Sequence, residues 1–216
     1  MPANDDVAFA LLEAVGTFAF AVSGGAVAVR AGMDWLGVMV LAVVTAVGGG
    51  TLRDLLLGTH PVWWIDREWP LALAAVGGLA VIGVAHRIPH VALDSQRSAL
   101  VGDAIGLGAF TVTGVLLGLE AGVASWTAVV LGVVTGAGGG VLRDVLAQRR
   151  PLILVAQIYA VAAFAGAAVV AVLAHLEAPA QLTRWLGVVV IVVVRVLAIR
   201  RQWHLPRFAA TDDTTD

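Results

Sequence analysis

Arg53-Asp54 and Arg143-Asp144 each follow three consecutive glycines at the same spacing, Gly48-Gly49-Gly50 and Gly138-Gly139-Gly140. Thr45 and Thr135 stand three residues before the triplets, and Glu13 and Asp103 stand 40 residues before their arginines. All of them lie inside long apolar runs. A charge near the centre of a bilayer costs roughly 2.5–3.5 kcal/mol on insertion scales, so such residues persist where they pair or face a wet cavity. The chemistry open to them is electrostatic: holding or passing a charged solute, or locking helices together. Bond-making chemistry has no footing, because there is no cysteine and no nucleophile–base set. His60, His86, His90, His175 and His204 fall in loops or at span ends without clustering, so neither a metal site nor a cofactor is expected. GGGxxRD here lies within an apolar run, so it is no nucleotide loop. The arginines are scattered and form no patch suited to nucleic acid.

The elements that must position these residues are membrane helices. The chain has 216 residues, 60% of them hydrophobic and 13% charged, with a mean hydropathy of +0.94. A soluble domain of this size could not cover such a composition with polar surface. Segments near 7–29, 34–57, 70–86, 98–119, 123–146, 152–175 and 184–201 approach the 20 or so residues needed to cross a hydrocarbon core, the third least convincingly. Met1 to Asp6 lacks the basic start of a cleavable signal peptide, so the first segment reads as a retained span. Residues 205–216 read as a disordered tail. All thirteen basic residues are arginine. With the N-terminus outside, the inner segments hold Arg30, Arg87, Arg97, Arg149, Arg150, Arg200, Arg201 and Arg207, against Arg67 and Arg184 outside. That bias predicts an external N-terminus and a cytoplasmic C-terminus. Trp35, Trp63, Trp64, Trp69, Trp126, Trp185 and Trp203 fall near span ends, as interface anchors do.

At an offset of 90, VVTAVGGGTLRDLL (43–56) aligns with VVTGAGGGVLRDVL (133–146), with ten of fourteen positions identical. The same offset pairs Glu13 with Asp103, Ser23 with Thr113, Gly24 with Gly114 and Pro61 with Pro151. Repeat one would cover 7–86 and repeat two 97–175, with an extra helix at 184–201, all in one transmembrane domain. Three spans per copy is an odd number, so the second copy would enter the membrane with opposite polarity. The expected fold is therefore all-α: seven transmembrane helices as an inverted 3+3 repeat plus one. Inverted repeats are an architecture of transporters and channels.

For most of these residues two readings are open. The triple glycines could allow close helix packing, as could Gly136 with Gly140 and Gly102 with Gly106. Their place at mid-membrane, repeated and followed each time by charges, favours instead a kink or unwound turn whose freed backbone groups line a water-filled path. Arg53 and Arg143 could be a structural lock between halves or could line the path and set its field. Adjacent Arg and Asp point about 100° apart on a helix, so cross-repeat partners such as Asp144 or Glu13 are expected for Arg53 rather than Asp54. Glu13 and Asp103 could attract cations or neutralise the arginines. Ser23 and Thr113 are expected to bond to their own helices. Arg195 is expected to snorkel to the headgroups, and Gln157 and Tyr159 to make interhelical hydrogen bonds.

Two GGGxxRD segments in spans two and five of a 3+3+1 chain resemble the prokaryotic branch of the trimeric intracellular cation (TRIC) channels, and equally the related bacterial glycine transporter family. The resemblance covers about 7–200. It implies a homotrimer in the bilayer of a prokaryotic inner membrane, each protomer having its own pore between glycine-kinked spans two and five. Monovalent cations, potassium foremost, would pass, with Arg53 and Arg143 facing the pore. Animal members carry a lysine-rich, phosphoinositide-associated region, which this lysine-free chain lacks. The alternative is a secondary transporter of glycine or another small zwitterion, whose carboxylate the arginines would hold. A membrane scaffold with purely structural charges is a third reading.

Overall fold

The computed structural model describes residues 7–88, 95–155 and 158–201. His90, Gln157, Trp203, His204, Arg207 and the tail at 205–216 lie outside the described residues. Among those described the fold is helical, with no strand: α1 (Val7–Arg30), α2 (Trp35–Leu57), α3 (Glu68–Arg87), α4 (Ser95–Glu120), α5 (Ser125–Leu146), α6 (Leu152–Val155), α7 (Tyr159–His175) and α8 (Ala180–Arg201). Six of these, α1 to α5 and α8, are long and apolar enough to cross a membrane.

The expected sixth span over 152–175 is divided. Leu152–Val155 forms a short helix of its own, and α7 is 17 residues long, about 25 Å at the helical rise. The start of the short helix is tethered. The amide of Leu152, just after Pro151, donates to Asp144 Oδ2 at 2.9 Å. The stretch is thereby held against the end of α5 before the membrane helix begins.

Side-chain and backbone chemistry mark the helix ends. Asp34 caps α2 by accepting from the Gly37 amide at 2.8 Å. Gly58 closes α2 in the left-handed region, with φ 68°. The same turn recurs after α5, where Gln148 takes φ 54° and the amides of Gln148 and Arg149 return to Val145 and Asp144. The α1–α2 and α4–α5 turns also match, through Met33 to Ala28 and Val123 to Gly118.

The centre of the bundle is α1 against α4, with α2 crossing α5 beside them. Phe20 of α1 stacks on Phe110 of α4, ring centroids 5.5 Å apart and planes within 5°. Gly106 and Gly16 make that contact possible, since a Cβ on either would press into the opposing ring. Over its most apolar window α4 is 72% buried and α3 only 22%. Glu13, Asp103, Arg143 and Asp144 are surrounded by protein, whereas α3 presents most of its surface outward.

Candidate functional site

The glycine triplets lie where α2 and α5 cross. A Cβ on Gly49 would overlap the carbonyl oxygen of Thr135, and one on Gly139 would overlap that of Thr45. Flanking this crossing, Gly48 faces Leu142 and Gly138 faces Leu52, at 2.6 and 2.7 Å from an added Cβ. The contacts come in matched pairs. Both helices are regular α-helix through their triplets, so the expected unwound turn with freed carbonyls is absent. In an apolar surrounding every backbone amide is held to its helical acceptor, and the missing side chains let two backbones touch. Thr45 and Thr135 are fully buried and donate to Leu41 and Leu131 of their own helices, each at 2.6 Å.

One turn beyond each triplet stand the buried charges. Arg53 Nε donates to Asp54 Oδ1 at 2.8 Å and Arg143 Nε to Asp144 Oδ1 at 2.9 Å. This corrects the expectation that sequence neighbours would not pair. The 100° between them is bridged because Arg is long and its Nε sits partway along the chain. Each Asp is also fixed by a loop amide: Trp63 N–H donates to Asp54 at 2.7 Å, as Leu152 N–H does to Asp144. No ion pair links Arg53 to Asp144 among the described residues.

The two halves differ in what surrounds Asp103 and Glu13. Asp103 is fully buried and accepts from Arg143 Nη1 at 2.8 Å. Tyr159 Oη lies 3.4 Å from it, and Arg195 Nη2 lies 3.9 Å from its other oxygen. Arg195, 2% exposed, also sits over the Tyr159 ring at 4.6 Å. It is buried in the bundle, beside a carboxylate and over an aromatic face, and does not snorkel. Ser23 likewise departs from expectation. Its hydroxyl donates to Ala99 O of α4 at 2.8 Å and accepts from Arg143 Nη1 at 2.6 Å. Thr113 does bond to its own helix, through Phe110 O at 3.3 Å. Arg149, 38% exposed, adds two contacts to Asp144.

Glu13, 2% exposed, makes one ion pair, accepting from Arg67 Nη1 at 3.2 Å. Arg53 Nη1 and the Trp63 indole N–H are buried with no hydrogen-bond partner among the described residues. Above them opens a cavity of about 320 Å³, whose charged lining is Glu13, Arg53, Asp54, Asp66, Arg67 and Glu120. At the other end of α1 and α4, a smaller cavity of about 90 Å³ is lined by Arg30, Arg143 and Arg149. Among the described residues no cluster of His, Asp and Glu could hold a metal ion.

Sequence reasoning found the acidic and basic residues of the motifs but missed Arg67, Arg195 and Trp63 as their partners. Arg195 carried a usable signal, an arginine inside an apolar run. Arg67 carried none beyond its place in a tryptophan-rich loop.

The family model described as glycine transporter matches this chain twice, over residues 10–87 and 100–175. The chain belongs to the glycine transporter family. Among its relatives, the UPF0126 inner membrane protein YadS of Escherichia coli K12 is 40% identical, covering 94% of this chain and 97% of its own length. The UPF0126 membrane protein YvgT of Bacillus subtilis is 36% identical, covering 93% and 96%. Among solved structures, the TRIC trimeric intracellular cation channel orthologue from Rhodobacter sphaeroides superposes with a TM-score of 0.84 at 34% identity, over 92% of this chain and all of that one. A second structure, solved to explain conductance through TRIC cation channels, gives 0.83 at 34% identity, over 94% and 98%. The chain is thus a helical membrane protein of the TRIC channel fold.

Proposed function

We propose that this glycine transporter family member is a passive channel for monovalent cations, potassium foremost. The path would run through each protomer along the α2–α5 crossing. The observation that carries this reading is the pair of charged cavities at opposite ends of α1 and α4, one reaching Arg53 and the other Arg143. Likeness over nearly the whole chain to structures of TRIC cation channels supports it. The arginines oppose cations, but Asp54 and Asp144 each neutralise one at hydrogen-bond distance. Glu13 and Asp66 then stand against Arg67 in the lining of the larger cavity, which favours cations there.

The matched contacts of Gly49 with Gly139 and of Phe20 with Phe110 support an inverted repeat, with α6 and α7 together making the sixth of seven crossings and α8 the seventh. The arginine bias favours an orientation with the larger cavity outside, and likeness to an inner membrane protein of Escherichia coli supports placement in that membrane. Exposed apolar side chains on α3, α7 and α8 suit lipid and the neighbouring protomers of a homotrimer.

A secondary transporter of glycine is the second reading, favoured by one observation: Arg53 Nη1 and Trp63 Nε1 are unpartnered donors beside a cavity that also holds carboxylates. Purified protein in liposomes separates the two. Potassium flux that follows the electrochemical gradient supports the channel. Saturable glycine uptake without such flux overturns it.

A further inference from the structure

Glu13 and Asp103 occupy equivalent places in the two copies of the motif, yet they are held in different ways. Asp103 has Arg143 at 2.8 Å, Tyr159 at 3.4 Å and Arg195 at 3.9 Å, all on buried side chains. None of these can leave without exposing a charge to the bundle interior, which is costly. Among the described residues Glu13 has one ion-pair partner, and that partner is 37% exposed. Arg67 stands just before α3, in extended backbone with no side-chain cap bond holding it to the helix. Its side chain and that of Glu13 both line the larger cavity. The guanidinium therefore reaches a buried carboxylate from the wet side, and can swing back into water.

We propose that Glu13 is a cation-binding site in the larger cavity and that Arg67 is a tethered cation competing for it. An ion arriving from that end displaces the guanidinium, rests on Glu13 and is later displaced in turn. Arg67 thereby limits occupancy at low ion concentration. The other charges lining the cavity are Arg53, Asp54, Asp66 and Glu120; Arg53 Nε is held by Asp54 at 2.8 Å, so Arg67 is the cation free to leave Glu13. Arg67 is then a specificity-determining residue of the path. This inference rests on the cation-channel reading.

The test uses the full-length protein in planar bilayers, with thallous ion uptake measured by equilibrium dialysis in detergent. Arg67→Gln should raise potassium current about tenfold at low salt, the lower end of enrichment by a focused charge. The gain should shrink as salt rises. Arg67→Lys, which keeps the charge, should stay near wild type. In a Glu13→Gln background the Arg67→Gln change should have no effect. By dialysis, Arg67→Gln should take up one more thallous ion per protomer than the Arg67→Gln/Glu13→Gln double variant. Equal uptake by those two variants, or the same gain in current without Glu13, would overturn the proposal. A wild type that carries no current while Arg67→Gln still gains a thallous site would refute the channel reading and leave this site standing.

Discussion

Replacing Gly49 by alanine tests the α2–α5 contact at its tightest point. The added Cβ would overlap the Thr135 carbonyl oxygen, and a backbone atom cannot rotate aside. Overpacking costs about 1–3 kcal/mol, and a clash with backbone belongs near 3. Alanine in place of glycine returns about 1 kcal/mol of helix propensity, leaving a net loss of about 2 kcal/mol. For a chain of this size each kcal/mol moves Tm by about 2–4 °C, so Gly49→Ala should melt about 4–8 °C lower. The control is Gly83→Ala on α3, where an added Cβ meets nothing within 4 Å. Only the propensity gain acts there, and Tm should rise by about 2–4 °C. Tryptophan fluorescence of detergent-purified protein reads both. A Gly49→Ala variant melting at or above wild type would refute the account of the triplets as a contact between backbones.

Other perturbations separate the two halves. Asp103→Asn should cost about 3–5 kcal/mol, because it leaves Arg143 and Arg195 buried without their shared carboxylate. Glu13→Gln should cost within about 1 kcal/mol, since half-exposed Arg67 returns to water; comparing the two melting curves checks both. Gln148→Gly should stabilise by about 1 kcal/mol, measured in the same way, because Gln148 holds φ 54° where its counterpart is Gly58. Asp54→Asn should weaken the hydrogen bond from the Trp63 amide. A lost bond to a charged acceptor is worth about 1.5–3 kcal/mol, so hydrogen exchange at Trp63 should speed up by at least about tenfold.

What the sequence disclosed and what it withheld divide along physical lines. Helix positions were legible because an apolar run of membrane length admits few other structures. The paired residues of the site were legible because the chain repeats them at a fixed offset. Partners were not legible. Arg195 lies 92 residues from Asp103, and no periodicity links positions so far apart; only folding brings α8 against α4. The Arg53–Asp54 pair was missed because helical angle was weighed without the reach of a long side chain. The Leu152–Val155 turn was missed because hydropathy cannot see Asp144 holding the Leu152 amide. The triplets show a further limit: glycine composition fits both an unwound turn and a close crossing, and only the opposed Thr45 and Thr135 carbonyls decide for contact.

Current through single wild-type protein in a planar bilayer with unequal potassium salt on the two sides tests the central claim most directly. The account predicts unitary steps that reverse near the potassium equilibrium potential and need no glycine. An electrically silent bilayer, with the same preparation accumulating glycine saturably in liposomes, would contradict it.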